Sequence, residues 1–254
     1  MTLQQPHNPL QGHGTPLSQW QASPTLQAVP AISHEQLVPL SCRLVVVAPH
    51  PDDEVLGCGG VLAGMRGREA DLLLVSVSDG EASHPQSRHW TSERLRQQRP
   101  RESADALRRL GLDLTRLTWL RLGLPDSAVA NHERGLAERL VQLLRANDRV
   151  LTTWRLDGHC DHEAVGRACA RACETVGARL IEVPVWAWHW AQPSDPRLPW
   201  PHAQKLFLDR AVLALKQQAI AAHTSQVQAD GETPPVLDSE ALARWLQPFE
   251  LVFI

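Results

Sequence analysis

At 254 residues and 28.2 kDa, the chain has room for one large α/β domain with a well-buried core. Its 25 basic and 28 acidic residues are spread along the sequence and leave a net charge of -3, which argues against a nucleic-acid-binding stripe and against an acidic tail. Five cysteines are odd in number and sparse for this length, no apolar run approaches the roughly 18 to 20 residues that span a bilayer, and the start MTLQQPHNPLQGHG lacks a secretory pattern, so a soluble cytoplasmic protein without a disulfide framework is expected.

Residues 1–38 are rich in Gln, Pro, His, Ser and Thr and are broken by Pro6, Pro9, Pro16, Pro24 and Pro30. They are expected to form an extended or partly ordered N-terminal extension ahead of a domain over 39–254. From Arg43 the texture changes. RLVVVA predicts a buried strand, LGCGGVLAGMRGR a helix, and Asp71 to Ser78 a second strand. A polar loop then leads to a helix from about Thr91 to Leu110, stopped by Gly111. RLTWLRL, RVLTTW, ARLIEVPVW and KLFLDR supply further strands, separated by helical patterns in NHERGLAERLVQLLRAN, HEAVGRACARACETVG and AVLALKQQAIAAH. Repeated βα units with near-continuous apolar strands predict an α/β fold of Rossmann-like form, a mainly parallel sheet covered by helices on both faces. With strand order 3-2-1-4-5, the loops after strands 1 and 4 face each other across the crevice where doubly wound sheets carry their sites.

Those two loops carry the chemistry. The first, APHPDDE, offers His50, Asp52, Asp53 and Glu54, and the second, RLDGHCDH, offers Asp157, His159, Asp161 and His162. Three consecutive acids at the end of a core strand repel one another and bury badly, and a metal ion would compensate that charge. Imidazoles and carboxylates are the usual ligands of Zn²⁺, with Fe²⁺ the other candidate. His50, Asp53 and His162 are assigned as ligands, Asp52 as the general base toward water, and His159 as the group that stabilises or protonates the intermediate. Taken alone, HCDH is often a pair of solvated or capping histidines, and acids at a helix start often only cap it, as Glu54 would. Their placement after adjacent strands carries the inference. GCGGVLAG has Leu62 where a dinucleotide fingerprint needs its third glycine, so no nicotinamide cofactor is expected.

APHPDDE followed by GHCDHEAVGRA resembles the PIG-L/LmbE-like de-N-acetylases, a likeness that runs from about Arg43 to Gln226 through DGEAS, RPRE and AAHTSQ. The resemblance implies a zinc-dependent hydrolase that removes acetyl groups from N-acetylated sugars or sugar conjugates, and its motif positions place the same roles on His50, Asp53, His162, Asp52 and His159. Cys160 departs from the usual proline of the second motif. It could be inert, an alternative soft ligand or an oxidation liability. Asp161 is expected to orient an active-site histidine by accepting its ring N–H.

For substrate contacts, Arg99 and Arg155 could meet a phosphate, carboxylate or hydroxyl, and Trp188 belongs to VWAWHW, whose three Trp rings share one face if the segment is extended. A Trp row at that spacing is also common in core packing. His223 and Gln226 in AHTSQ match a recurring feature of the family. The expected partner is a small N-acetylated sugar or glycoconjugate, with no nucleic acid and no membrane span, and a homo-oligomer stays open. Two other readings remain: an amidase for a larger acyl or thiol-conjugate amide, and a non-catalytic carbohydrate-binding module of the same fold.

Overall fold

The computed structural model describes residues 12–254, so the first part of the expected N-terminal extension lies outside the described residues. In chain order the helices and strands are α1 Leu17–Gln21, α2 Pro24–Ala28, α3 His34–Leu37, β1 Leu44–Ala48, α4 Asp53–Leu56, α5 Gly59–Ala63, β2 Leu72–Ser78, α6 Ser92–Arg109 and β3 Thr118–Leu124. The second half comprises α7 Glu133–Leu143, β4 Arg149–Thr153, α8 Cys160–Val176, β5 Arg179–Val183, α9 Ala187–Trp190, β6 Ala203–Phe207, α10 Arg210–Ile220, α11 Thr224–Val227, α12 Ser239–Trp245 and β7 Phe249–Phe253.

A strand that is apolar at every position needs cover on both sides, and β1 and β2 are buried throughout. Alternate side chains enter two separate cores. Leu44, Val46, Leu72 and Leu74 pack with α5 and α6 on one face, while Val45, Val47, Leu73 and Val75 pack with α7 and α8 on the other. The sheet order is β3-β2-β1-β4-β5-β7-β6, parallel from β3 to β5. The expected order of the first five strands and the helices on both faces are therefore present, and the loops after β1 and β4 flank the crevice. No helix among the described residues is long and apolar enough to cross a membrane.

Three features differ from the sequence reading. FELVF forms β7, antiparallel between β5 and β6, although Glu250 interrupts its apolar run. The helix expected over LGCGGVLAGMRGR is two short helices, and the same Glu250 explains the break: its carboxylate accepts the N–H groups of Gly60 and Val61 at 2.7 and 2.9 Å and restarts the helix there. Gly60 permits the approach, since a Cβ would sit 2.3 Å from the Leu208 side chain. Finally, the stretch expected to be extended carries α1 to α3. Ser23 caps α2 ahead of Pro24, and Ser33 with Gln36 forms a capping box on α3. Trp20, Leu26 and Leu37 bury themselves in the main core.

Lys216 on α10 donates to Glu250 at 2.7 Å, and both side chains are buried. Removing one member leaves the other uncompensated. Glu250→Gln is therefore expected to lower stability by about 3–5 kcal/mol, and the Lys216→Met, Glu250→Leu pair to recover part of it, as read by chemical denaturation.

Candidate active site

The chain leaves β1 through Pro49 and turns sharply at Asp52, whose backbone has φ 140°. A non-glycine residue in that region costs about 1–3 kcal/mol and persists only when its surroundings hold it. Here they do. The Asp52 N–H donates to Glu54 Oε2 at 3.0 Å, its carbonyl accepts Val55 and Leu56 N–H at 2.9 Å, and its carboxylate accepts Arg99 Nη2 at 2.9 Å. Glu54 is thus a turn support within the loop and is itself fully buried. Arg99 reaches the turn from α6 and also donates to the carbonyls of Pro51 and Gly80, both at 2.8 Å.

The loop after β4 comes to the same place. His159 is the N-cap of α8, and its Nδ1 accepts the Asp161 N–H at 3.2 Å, which leaves any ring proton on Nε2. His162 sits one turn into α8, with its Nδ1 donating to Asp157 Oδ2 at 2.8 Å. Asp157 is held in turn by the N–H groups of Val185, Trp186 and Ala187 at 2.9–3.0 Å. On the other side, His50 Nε2 lies 3.1 Å from Asp161 Oδ2 and 3.2 Å from Asp126 Oδ1. Asp161 is fixed by the Ser127 and Val129 N–H groups.

These outer bonds decide what points inward. With Nε2 of His50 and Nδ1 of His162 as donors to carboxylates, the opposite ring nitrogens face Asp53 Oδ2, at 3.3 Å from His50 Nδ1 and 3.2 Å from His162 Nε2, and offer lone pairs once they lose their protons. His162 Nε2 is buried and has no hydrogen-bond partner. Two imidazole nitrogens and a carboxylate oxygen converging in this way fit the three protein ligands of an open zinc-type site. Among the described residues, two groupings have potential ligand atoms all within 4.8 Å of one another, and neither includes Asp53: the rings of His50, His159 and His162, and the set His50, Asp126 and Asp161. In the first, His159 Nδ1 is already an acceptor for a backbone N–H; in the second, each Asp161 oxygen already accepts one backbone N–H. In the Asp53-centred set, Asp53 Oδ2 accepts one backbone N–H, that of His50 at 3.0 Å, and each imidazole has its other ring nitrogen committed to a carboxylate.

Burial and charge set the protonation states. Burial raises Asp52, Arg99 pulls it down, Asp53 pushes it up, and the outcome is about 7. Burial also opposes ionisation of Asp53, but the charge and hydrogen bond of His162 and those of His50 outweigh it and hold Asp53 well below the usual carboxylate range. For His162, burial favours the neutral ring, yet Asp53 and the Asp157 hydrogen bond raise it to about 9. His50 is raised as well, against burial, by hydrogen bonds to Asp126, Asp161 and Asp53. Burial, then His162 and His50, push His159 down to about 3, so it is a neutral donor.

A cleft of about 230 Å³ opens over these groups, lined by His50, Asp52, Asp53, Arg99, Asp126 and His159, and beyond them by Trp186, Gln226 and Leu237. Of the residues expected to contact substrate, Arg99 and Gln226 line it. The others do not. Arg155 pairs with Glu182 at 2.8 Å and lies among Glu133, Arg167 and Glu174. Trp188 is buried edge-to-face against Trp20 at 4.8 Å, its carbonyl accepting the Trp20 indole N–H. The cause is local: VWAWHW is not extended, because Asp157 draws in three successive backbone N–H groups and curls the chain into α9. Trp186 is thereby the ring that meets the cleft.

His223 is fully buried below the cleft wall, and burial followed by Arg99 lowers it to about 3. Its carbonyl accepts Gln226 and Val227 N–H at the start of α11, and Glu102 of RPRE accepts the Thr224 hydroxyl and the Ser225 hydroxyl and N–H. RPRE and AHTSQ are thus tied to each other. Cys160 begins α8 exposed, and burial of its sulfur together with Asp161 raises the thiol, which keeps it protonated. Asp126 was not anticipated. Its only signal is position, at the carboxyl end of β3 in the turn LGLPDS.

The sequence profile described as PIG-L, GlcNAc-PI de-N-acetylase, matches residues 45–173, just over half of the chain and the span that contains both loops. A 1D-myo-inositol 2-acetamido-2-deoxy-alpha-D-glucopyranoside deacetylase of Kineococcus radiotolerans is 28% identical over 159 residues, covering 51% of this chain but only 44% of that protein's length. The enzyme of the same description from Streptomyces avermitilis is 28% identical over 251 residues, covering 74% of this chain and 84% of its own. Among solved structures, the conserved protein TT1542 from Thermus thermophilus is 27% identical with a TM-score of 0.52, covering 73% of this chain and 80% of that one. With the profile spanning both loops and the strands that mount them, the chain belongs to the PIG-L family.

Proposed function

We propose that the protein is a divalent-metal-dependent hydrolase that removes the acetyl group from an N-acetylated sugar or sugar conjugate, with zinc as the metal. The observation that carries this reading is the buried convergence of His50 Nδ1 and His162 Nε2 on Asp53 Oδ2, at 3.3 and 3.2 Å. The similarity to two sugar deacetylases supports the choice of substrate class.

A divalent ion held by His50, Asp53 and His162 would supply Lewis acidity toward the amide carbonyl and make a nearby water easier to deprotonate. Asp52, beside Asp53 and poised near neutral pH, takes the proton from the attacking water. Arg99 fixes the Asp52 carboxylate without displacing it from the cleft. His159, neutral and with its proton on Nε2, donates a hydrogen bond to the oxyanion that forms as water adds to the carbonyl. Asp52 then returns the proton to the departing nitrogen, and acetate and a free amine result. Asp157 and Asp161 hold the two histidine rings in the tautomers this arrangement needs.

The test is acetate release from N-acetylglucosamine and its glycosides by zinc-loaded protein, with metal counted by plasma mass spectrometry. One equivalent of zinc and stoichiometric acetate and amine are expected. Turnover that survives complete chelation would contradict the proposal.

A further inference from the structure

The polar end of the cleft commits its permanent cation to fixing the loops, and one side of its outer wall is apolar. Among the described residues lining the cleft, Arg99 is the sole permanently charged base, and its Nη1 and Nη2 are committed to Gly80, Pro51 and Asp52. Asp52, Asp53 and Asp126 face the same space as acids. A divalent ion at Asp53 would be engaged with the reacting amide and would not serve a second anionic group. A phosphate entering here would lose its hydration and meet carboxylates, and the one Arg99 nitrogen without a partner, Nε, is itself buried.

Leu56, Trp186, Val236 and Leu237 form an apolar side of the remaining wall, Val236 being 41% exposed, while Ser83, Ser127 and Gln226 line the rest. An apolar substituent would cover surface that is otherwise wet. The Val236–Leu237 edge lies outside residues 45–173, the span that the family profile matches. It is also tied down: the Leu237 N–H donates to Gln226 O at 2.9 Å, and Ser87 Oγ of the loop after β2 donates to Asp230 Oδ2 at 2.5 Å. The volume of about 230 Å³ falls below the ~300–1,000 Å³ usual for ligand sites and suits one ring with a small attachment.

We infer that the substrate is a single N-acetylated amino-sugar ring carrying a compact, uncharged, apolar substituent, and that phosphate- and nucleotide-linked sugars are rejected. This rests on the deacetylase reading above. The experiment compares N-acetylglucosamine, its n-butyl glycoside, its 1-phosphate and its uridine diphosphate conjugate in two measurements. One is kcat/KM for acetate release by the zinc-loaded protein; the other is calorimetric affinity for zinc-loaded Asp52→Asn protein.

The butyl glycoside is expected to exceed the free sugar by about tenfold or more in both, and the two phosphorylated sugars to fall below it. Val236→Ser is expected to reduce the butyl preference several-fold, and Val236→Lys to raise the 1-phosphate relative to the free sugar. A phosphorylated sugar that matches the butyl glycoside, or a Val236→Ser variant with its preference intact, would overturn the inference. Affinities in the expected order with no acetate released would overturn the deacetylase reading alone, whereas acetate release in the reverse order would overturn only this inference. Failure of all four to bind would overturn both.

Discussion

Acetate release by the Asp52→Asn variant is expected to fall by about 10²–10⁴-fold while zinc content and melting temperature stay near those of the wild type. Asparagine keeps the shape and the acceptor oxygen for Arg99 but cannot take a proton. It is also one of the side chains that best tolerates positive φ, so the turn at 140° should survive. The base must be ionised to act, and Asp52 titrates at about 7, because burial and Asp53 raise it further than Arg99 lowers it. A divalent ion at Asp53 would offset the charge that raises Asp52, so wild-type kcat/KM is expected to fall toward acid pH with a midpoint at or below about 7. Arg99→Met removes the cation that favours the charged form and should move that limb upward by about a unit or more. A merely structural role for Arg99 would lower stability and leave the midpoint where it was. Unchanged turnover in Asp52→Asn would remove Asp52 from the mechanism.

Loss of metal is the second large effect. His162→Ala deletes an inward-facing nitrogen and is expected to weaken zinc binding by more than about 100-fold, whereas Asp157→Asn, which leaves that nitrogen in place but disturbs the tautomer and orientation of its ring, is expected to cost about 10–100-fold. Proton competition gives these measurements a distinctive pH dependence. A protonated imidazole cannot ligate, and the Asp53 and Asp157 carboxylates raise His162 to about 9 against the effect of burial. Zinc affinity is thus expected to climb steadily from pH 6 toward 9, with protons released on binding, as titration calorimetry in buffers of different ionisation enthalpy would report. A flat affinity over that range would mean that the titrating histidines do not hold the ion.

What the sequence revealed follows from how each element is stabilised. β1, β2 and β4 are buried on both faces and so announce themselves as apolar runs, and the order they imply brings APHPDDE and HCDH together. The second half of the sheet was harder to read because polar groups do structural duty there. Glu250 breaks the apolar signature of β7 while pairing with Lys216 and restarting α5. Likewise, nothing within VWAWHW reveals that Asp157, about thirty residues earlier, will curl it into α9. That one long-range interaction moved Trp188 into the core and Trp186 to the cleft. Asp126 belongs to the same class: a single acid in a turn has no periodicity, and only the sheet order reveals that it meets His50. The caps at Ser23 and Ser33 are different, since S-P and S-x-x-Q are local signals that the many prolines around them obscured.

The most direct measurement is anomalous diffraction at the zinc edge from crystals of the zinc-loaded protein. The account predicts one peak per chain, about 2.0–2.2 Å from His50 Nδ1, Asp53 Oδ and His162 Nε2. A peak beside His50 Nε2 between Asp126 and Asp161, or none near Asp53, would contradict it.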